Sequence, residues 1–228
     1  MSDLISVIIP VLDEESTIIE TLKEVSQLSG RKEIIIVDGG SKDRTYELAE
    51  GLADKVCQTR AGRGHQMNVG AKKATGDILF FLHSDSCIEE DALLSIKSAL
   101  QDPEIIGGSF SLKVDDDSLP LRFISWTSNL RAKYLKIIFG DQGVFVRSSV
   151  FHDLGGYPDI ELMEDWAFSK KIAKVGKLVQ LSQNIYTSAR RWHKFGTWKT
   201  IFLMHKIKIL YLMGVSPKKL NQIYRNAR

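Results

Sequence analysis

Three apolar runs in the first 85 residues each stop abruptly on a polar cluster, and that pattern restricts the fold more than any other feature of the chain. Leu4 to Val11 (LISVIIPV) gives way to Asp13-Glu14-Glu15-Ser16, and Glu33 to Val37 (EIIIV) to Asp38-Gly39-Gly40-Ser41-Lys42-Asp43. Asp77 to Leu82 (DILFFL) gives way to His83-Ser84-Asp85. Short runs rich in Ile, Val and Phe read as strands buried on both faces. Helix-length segments lie between them, from the Asp13 cluster to about Leu28, from Arg44 to about Ala53 and from Gly64 to Ala74, with a short strand at Lys55 to Gln58. Such alternation predicts an α/β fold with a doubly wound, mostly parallel, Rossmann-like sheet. Ligands of such sheets bind beyond the carboxyl ends of the strands, so the polar clusters are expected to meet in one cleft.

The second half changes character. Gly107 to Val114 and Gly143 to Arg147 read as strands, Glu161 to Val175 as a helix carrying Glu164-Asp165, and Leu178 to Leu181 as a last strand. Asp165 is the last acidic residue. The first 165 residues hold 17 Lys and Arg against 28 Asp and Glu, a balance of −11; the last 63 hold 14 Lys and Arg and no acid, a balance of +14. A segment so one-sided is expected to face an anionic partner. Thr197 to Met213 reads as a helix with Leu203, Met204, Ile207 and Tyr211 on one face, interrupted by Lys199, His205, Lys206 and Lys208. It is too short and too charged to span a bilayer; lying in a membrane interface and docking on the chain's own surface both remain open.

The expected division is an α/β domain over 1–195 and a basic, amphipathic helical tail over 196–228. The chain begins in a strand without the pattern of a secretory leader, and Cys57 and Cys87 are too few for a disulfide framework. The expectation is a cytoplasmic protein, peripheral on the inner face of the membrane if the tail binds there.

The stretches ISVIIPVLDEE, IIIVDGGSKDRT, GDILFFLHSDS and LMEDWAFSKK, in that order, resemble the family 2 glycosyltransferases of GT-A fold. GRGHQMNVGA and FGDQGVFVRSSVFHDLGGYP resemble a small bacterial-type subgroup of them. The resemblance covers roughly residues 4 to 195 and implies that the 1–195 unit is a GT-A glycosyltransferase domain. It implies an inverting transfer of a sugar from a nucleotide-diphosphate donor, a UDP-sugar being the first expectation. It implies that the loop after Pro10, with Glu14, cradles the nucleoside, and that Asp38 and Ser41 lie at the base edge; Asp13 stands where the family usually has Asn. Arg60, Arg63 and Gln66 flank a helix start, where cations and backbone N–H groups suit a diphosphate.

His83-Ser84-Asp85 occupies the position of the family's Asp-x-Asp motif, which implies a divalent cation, Mn²⁺ or Mg²⁺, on Asp85 with His83 as a second candidate ligand. Asp165 is expected to act as general base towards an acceptor hydroxyl or phosphate, with Glu164 in support. Arg190-Arg191-Trp192 is similar to the Gln-x-x-Arg-Trp motif of processive members, with Ser188 in place of the Gln; Arg191 is expected near the diphosphate and Trp192 against a sugar or lipid. The acceptor expected from the basic tail is a membrane lipid carrier or glycolipid. Two other classes fit parts of the pattern. A nucleotidyltransferase would use a similar cleft but a Gly-rich, basic first turn, which PVLDEE lacks. A non-catalytic binder of anionic lipid or nucleic acid would explain the tail but not the acids at the strand ends, and no nucleic-acid motif is present.

Overall fold

The computed structural model describes residues 4–227, apart from the side chains of Arg190 and Arg191. In chain order the first half runs β1 (Ile5–Val11), α1 (Ile18–Gln27), β2 (Lys32–Asp38), α2 (Thr45–Glu50), β3 (Lys55–Gln58), α3 (Arg63–Lys73), β4 (Ile78–Phe81), β5 (Ser86–Ile88) and α4 (Ala92–Ala99). The second half adds β6 (Ile105–Val114), α5 (Leu119–Leu135), a 3₁₀ turn at Gly140–Gln142, β7 (Val144–Arg147), α6 (Ser148–Asp153), α7 (Glu164–Ile172) and β8 (Lys177–Thr187). Three helices close the chain: α8 (Arg190–Phe195), α9 (Thr197–Leu212) and α10 (Pro217–Asn226).

One sheet carries all eight strands in the order β3-β2-β1-β4-β7-β6-β8-β5. The pairs β3–β2, β2–β1, β1–β4 and β6–β8 are parallel, whereas β7 runs antiparallel between β4 and β6, and β5 antiparallel to β8. Strand alternation in β1 shows why the apolar runs are continuous. Val7, Ile9 and Val11 face one layer, with Ile18, Leu22 and Val25 of α1 and Leu93 and Ile96 of α4. Ile8 faces the other, with Met67 and Ala71 of α3, Phe151 of α6 and Phe168 and Ile172 of α7. Both faces of the sheet are covered, so a strand between them needs apolar side chains at every position.

At one edge of this core Glu33 accepts hydrogen bonds from Ser6 (2.6 Å), Thr75 (2.9 Å) and the Lys55 ammonium (2.7 Å). Burial opposes the charge, but these donors outweigh it and hold the carboxyl down at about 2.

Several boundaries differ from those expected. The cluster at Asp13 does not cap α1, which starts at Ile18 and has no side-chain cap; its groups bond across to the next loop instead. β8 extends through Thr187 because β6 offers a parallel partner along that length, with two register shifts. α10 falls within the helical tail expected over 196–228, beyond the one helix whose bounds were placed there. Of the two settings left open for the tail, its described residues show docking on the chain's own surface. Ile207 and Leu220 are buried against Met163 and Trp166, with Leu203, Leu210 and Tyr211 around them. No helix among the described residues is long and apolar enough to cross a membrane.

Candidate active site

Beyond the carboxyl ends of β1 and β2 the two loops are laced together. The Asp13 N–H donates to Ser41 Oγ (2.9 Å) and the Lys42 N–H to Asp13 Oδ1 (2.8 Å). Likewise the Glu14 N–H donates to Thr45 Oγ1 (2.7 Å), and the Glu15 N–H to Asp43 Oδ2 (3.1 Å). A third loop joins them, as Ser84 Oγ donates to Glu14 Oε1 (3.2 Å) and Thr21 Oγ1 to the Ser84 carbonyl (2.8 Å). The three polar clusters therefore converge as the alternating pattern predicts.

Inside this lacing, individual residues differ from their expected settings. Asp38 is fully buried and its carboxylate accepts from the Gly40 and Ser41 N–H groups (3.1 and 3.0 Å), from Ser41 Oγ and from Gln58 Nε2 (2.9 Å). Gly40 makes this possible, since its φ of +87° turns the chain back over the carboxylate. Asp38 and Ser41 thus shape the turn, and Pro10 is half-buried in β1 opposite Val37. Gln66 was expected at the diphosphate. Its buried amide instead straps two strand ends, donating to the Val11 and Val37 carbonyls (2.9 Å each) and accepting the Gly62 N–H (3.3 Å). Arg60 pairs with Asp159 on the surface. Arg191 belongs to α8, but its side chain lies outside the described residues.

The remaining candidates meet in a cleft of about 560 Å³ whose walls include Glu14, Arg63, His83, Asp85, Glu164 and Asp165. Arg63, half-exposed at the start of α3, sits 3.8 Å from the buried carboxylate of Glu164. His83 and Asp165 close on Gly140 from two sides. A Cβ placed there would run into His83 Nε2 and stand 3.0 Å from Asp165 Oδ2. The Gly140 N–H donates to that same Oδ2 (3.0 Å). The other oxygen, Asp165 Oδ1, is buried and has no hydrogen-bond partner among the described residues. Burial, with the Glu164 charge beside it, raises the Asp165 carboxyl to about 7 despite Arg63 and the Gly140 N–H. An unsatisfied carboxylate oxygen poised near neutrality can accept a proton from a ligand in the cleft.

Among the described residues no three His, Cys, Asp or Glu side chains gather as a ready metal site. Asp85, with His83 two residues before it, could hold a divalent cation only with oxygens of a bound diphosphate completing the shell, a donor set that suits a hard cation.

Arg131 and Lys208 of the cleft wall were not expected from the sequence, whereas Trp192 was. Arg131 of α5 and Lys208 of α9 line the same cleft, with Trp192 of α8 buried between Val114, Leu121 and Ala189. Arg131 donates from Nε to the Ile137 carbonyl (3.1 Å) and from Nη2 to Gln142 Oε1 (2.8 Å). Its guanidinium stands 4.1 Å from the Phe139 ring centroid, and Lys208 Nζ stands 5.2 Å from the same centroid. The signal in the sequence was faint: each is a cation inside a stretch without acids, 118–140 and 166–228.

With this geometry in view, likeness to known proteins becomes informative. The sequence profile described as "Glycosyl transferase family 2" matches residues 6–154, and the chain belongs to that family. It is 27% identical over 221 residues to the probable glycosyltransferase YdaM of Bacillus subtilis, covering 86% of this chain and 52% of the relative. Over 95 residues it is 30% identical to the undecaprenyl-phosphate 4-deoxy-4-formamido-L-arabinose transferase of Pseudomonas aeruginosa, covering 36% of this chain and 28% of that one. The chain thus spans about half or less of these relatives' lengths. Among solved structures, the mannosyltransferase PcManGT of Pyrobaculum calidifontis, in complex with GDP-Man and Mn²⁺, superposes with a TM-score of 0.71 at 19% identity, covering 98% of this chain and 69% of that one. TarS of S. aureus in complex with UDP gives 0.62 at 21% identity, covering 81% and 60%. The fold is the GT-A fold, with a C-terminal helical tail added.

Proposed function

We propose that this chain is an inverting glycosyltransferase that moves a sugar from a nucleotide-diphosphate donor, a UDP-sugar first among the candidates, to an acceptor hydroxyl or phosphate at a membrane surface. The observation that carries the reading is the buried, unpartnered Oδ1 of Asp165, raised to about 7 and facing a cleft that also holds Asp85 and Arg63. Family 2 membership favours this class over the nucleotidyltransferase and the passive binder.

In this mechanism the laced loops at Glu14 and Asp38 receive the nucleoside, with Pro10 and Ser41 fixing their shape, and Arg63 faces the diphosphate. Arg60 and Gln66 serve indirectly, one bridging loops and the other strapping strand ends. Arg191 is assigned to the diphosphate and Trp192 to the acceptor sugar or lipid. A divalent cation held by Asp85, with His83 beside it, would neutralise charge on the departing diphosphate. The acceptor O–H proton passes to Asp165 Oδ1 while its oxygen bonds the anomeric carbon. The bond from that carbon to the diphosphate breaks, and its electron pair leaves with the nucleotide. Glu164 keeps Asp165 basic by raising its affinity for the proton.

Calorimetric titration with UDP, GDP and their sugar conjugates, in Mn²⁺, Mg²⁺ or EDTA, tests the donor half. One nucleotide should bind in a metal-dependent way, and Asp85→Ala should lose that dependence. Metal-independent binding would remove Asp85 from the role, and absence of all nucleotide binding would sink the enzyme reading.

The membrane half rests on the outer faces of α5 and α9. Of 15 large apolar side chains exposed among the described residues, ten lie on these two helices or directly after α9. Leu119, Phe123, Trp126 and Tyr134 form one stripe at helical spacing, and Trp198, Phe202, Ile209 and Leu212 another. Neither helix carries an acid, so the occupant that matches both is an anionic bilayer surface. The chain should float with anionic vesicles, and a Trp198→Glu/Phe202→Glu double variant should not. A wild-type chain left at the bottom of the gradient would end the membrane reading.

A further inference from the structure

Arg63, Arg131, Lys194 and Lys208 line the cleft, and they sit in different settings, Lys194 against the ring of Phe195. Arg63 lies within electrostatic reach of Glu164, Asp165 and Asp85, on the side assigned to the nucleotide diphosphate. Arg131 and Lys208 lie elsewhere, held over the ring of Phe139 at 4.1 and 5.2 Å. One short turn relates this pair to the proposed base. Gly140, its first residue, donates to Asp165 Oδ2 at 3.0 Å, and Gln142, its last, accepts from Arg131 at 2.8 Å.

We infer that Arg131 and Lys208 form an anion subsite for the acceptor: the acceptor is a phosphate ester whose phosphate is anchored there while a free hydroxyl of the same molecule reaches Asp165 Oδ1. The inference rests on the glycosyltransferase reading and narrows its acceptor.

Three observations support it. Among the described residues Lys208 Nζ has no hydrogen-bond or ion-pair partner, although it is half-buried in the cleft wall. Burial, with the Arg131 charge behind it, pushes Lys208 down to about 8, with Asp141 offsetting only part of this. An arriving anion eases that balance, because the two partly desolvated cations share a single acidic neighbour, Asp141. The helices that supply the pair, α5 and α9, are also the two with apolar outer stripes. An ester whose phosphate sits at Lys208 can therefore carry an alkyl chain out between them into a bilayer.

No second charge is created in the transfer step. The acceptor hydroxyl loses its proton to Asp165, forms the new glycosidic bond and expels the nucleoside diphosphate, while the phosphate ester stays intact as an anchor.

Binding of dihexanoyl-phosphatidylglycerol, glycerol 3-phosphate and uncharged dihexanoylglycerol to the full chain, followed by calorimetry, tests this. The phosphorylated lipid should bind roughly ten- to a hundred-fold more tightly than the uncharged one, the range expected for a charge-assisted contact. Lys208→Met should erase most of that difference and leave the metal-dependent nucleotide isotherm unchanged. Lys208 is the first choice because Arg131 also braces the Gly140–Gln142 turn, so its loss disturbs the fold. Equal binding of charged and uncharged lipid would overturn the inference, as would a Lys208→Met variant that weakens nucleotide instead, since the pair would then serve the donor. Glycerol 3-phosphate binding as tightly as the lipid would support the anion site and assign it a soluble ester; binding of the lipid alone would assign a membrane source. Nucleotide binding without phosphate-ester binding rejects only this inference, whereas loss of both rejects the glycosyltransferase reading beneath it.

Discussion

Asp165→Asn should lower turnover by about a hundred- to ten-thousand-fold, the range for loss of a positioned general base, while nucleotide affinity stays within a few-fold. The wild-type rate should climb with pH and level off above about 7, since Oδ1 must be unprotonated to accept a proton. The same substitution should make the fold more stable at pH 8. Burial raises this carboxyl from 3.8 to about 7 in the folded chain. The native state therefore holds the proton more tightly than the unfolded one, and stability falls as pH rises between those values. By pH 8 the buried charge costs roughly 2 to 4 kcal/mol, which asparagine does not incur. The melting temperature should rise by roughly 5 to 10 °C at pH 8 and hardly change at pH 4. Scanning calorimetry at the two pH values, paired with a turnover assay, reads both arms. Activity within ten-fold of wild type would remove Asp165 as the base, and an unchanged melting point at pH 8 would show that its burial is not costly.

Ending the chain after Phe195 should be more damaging still. The tail expected over 196–228 left docking on the chain's own surface open, and it supplies Ile207, Leu210, Tyr211 and Leu220 to a cluster built around Met163 and Trp166. Met163 and Trp166 flank the proposed catalytic pair Glu164 and Asp165, and only 8% and 7% of their surfaces are exposed. Uncovering both loses about 3 to 6 kcal/mol of burial, a large share of the 5 to 15 kcal/mol typical of a domain. It also strips Lys208 and Tyr224 from the cleft wall. The shortened chain should be poorly soluble, or should melt at least 10 °C lower and lose turnover. A truncated protein that melts within about 2 °C of the full chain would show that the tail is an independent appendage.

Much of the first half could be read from the residues, and the reason is local. A strand covered on both faces needs an unbroken apolar run, so β1, β2 and β4 announce themselves, and β3 was placed at Lys55 to Gln58 as observed. Polar clusters at strand ends follow from the same rule, so the converging loops were expected too. What the residues conceal is the partner of each polar group. Asp13 looks like a helix cap and binds Ser41 and Lys42 across a gap of almost thirty residues. Gln66 looks like a phosphate ligand and straps two carbonyls. Arg131 and Lys208 share a ring only because α9 folds back over Phe139, a packing event with no periodic signature.

The lacing of the first two loops has a further consequence. The N–H groups of Asp13, Glu14 and Glu15 donate to Ser41, Thr45 and Asp43, and the Asp13 carboxylate accepts from the Lys42 N–H, while Glu14 also accepts from Thr17 at the start of its own helix. Opening either loop alone breaks these cross-links, so the two should move as one body, set before the proposed nucleotide arrives. Little conformational entropy remains to be lost there on binding. Swapping one loop for that of a relative would carry over half a mould, and selectivity for the base would move only when both are exchanged together.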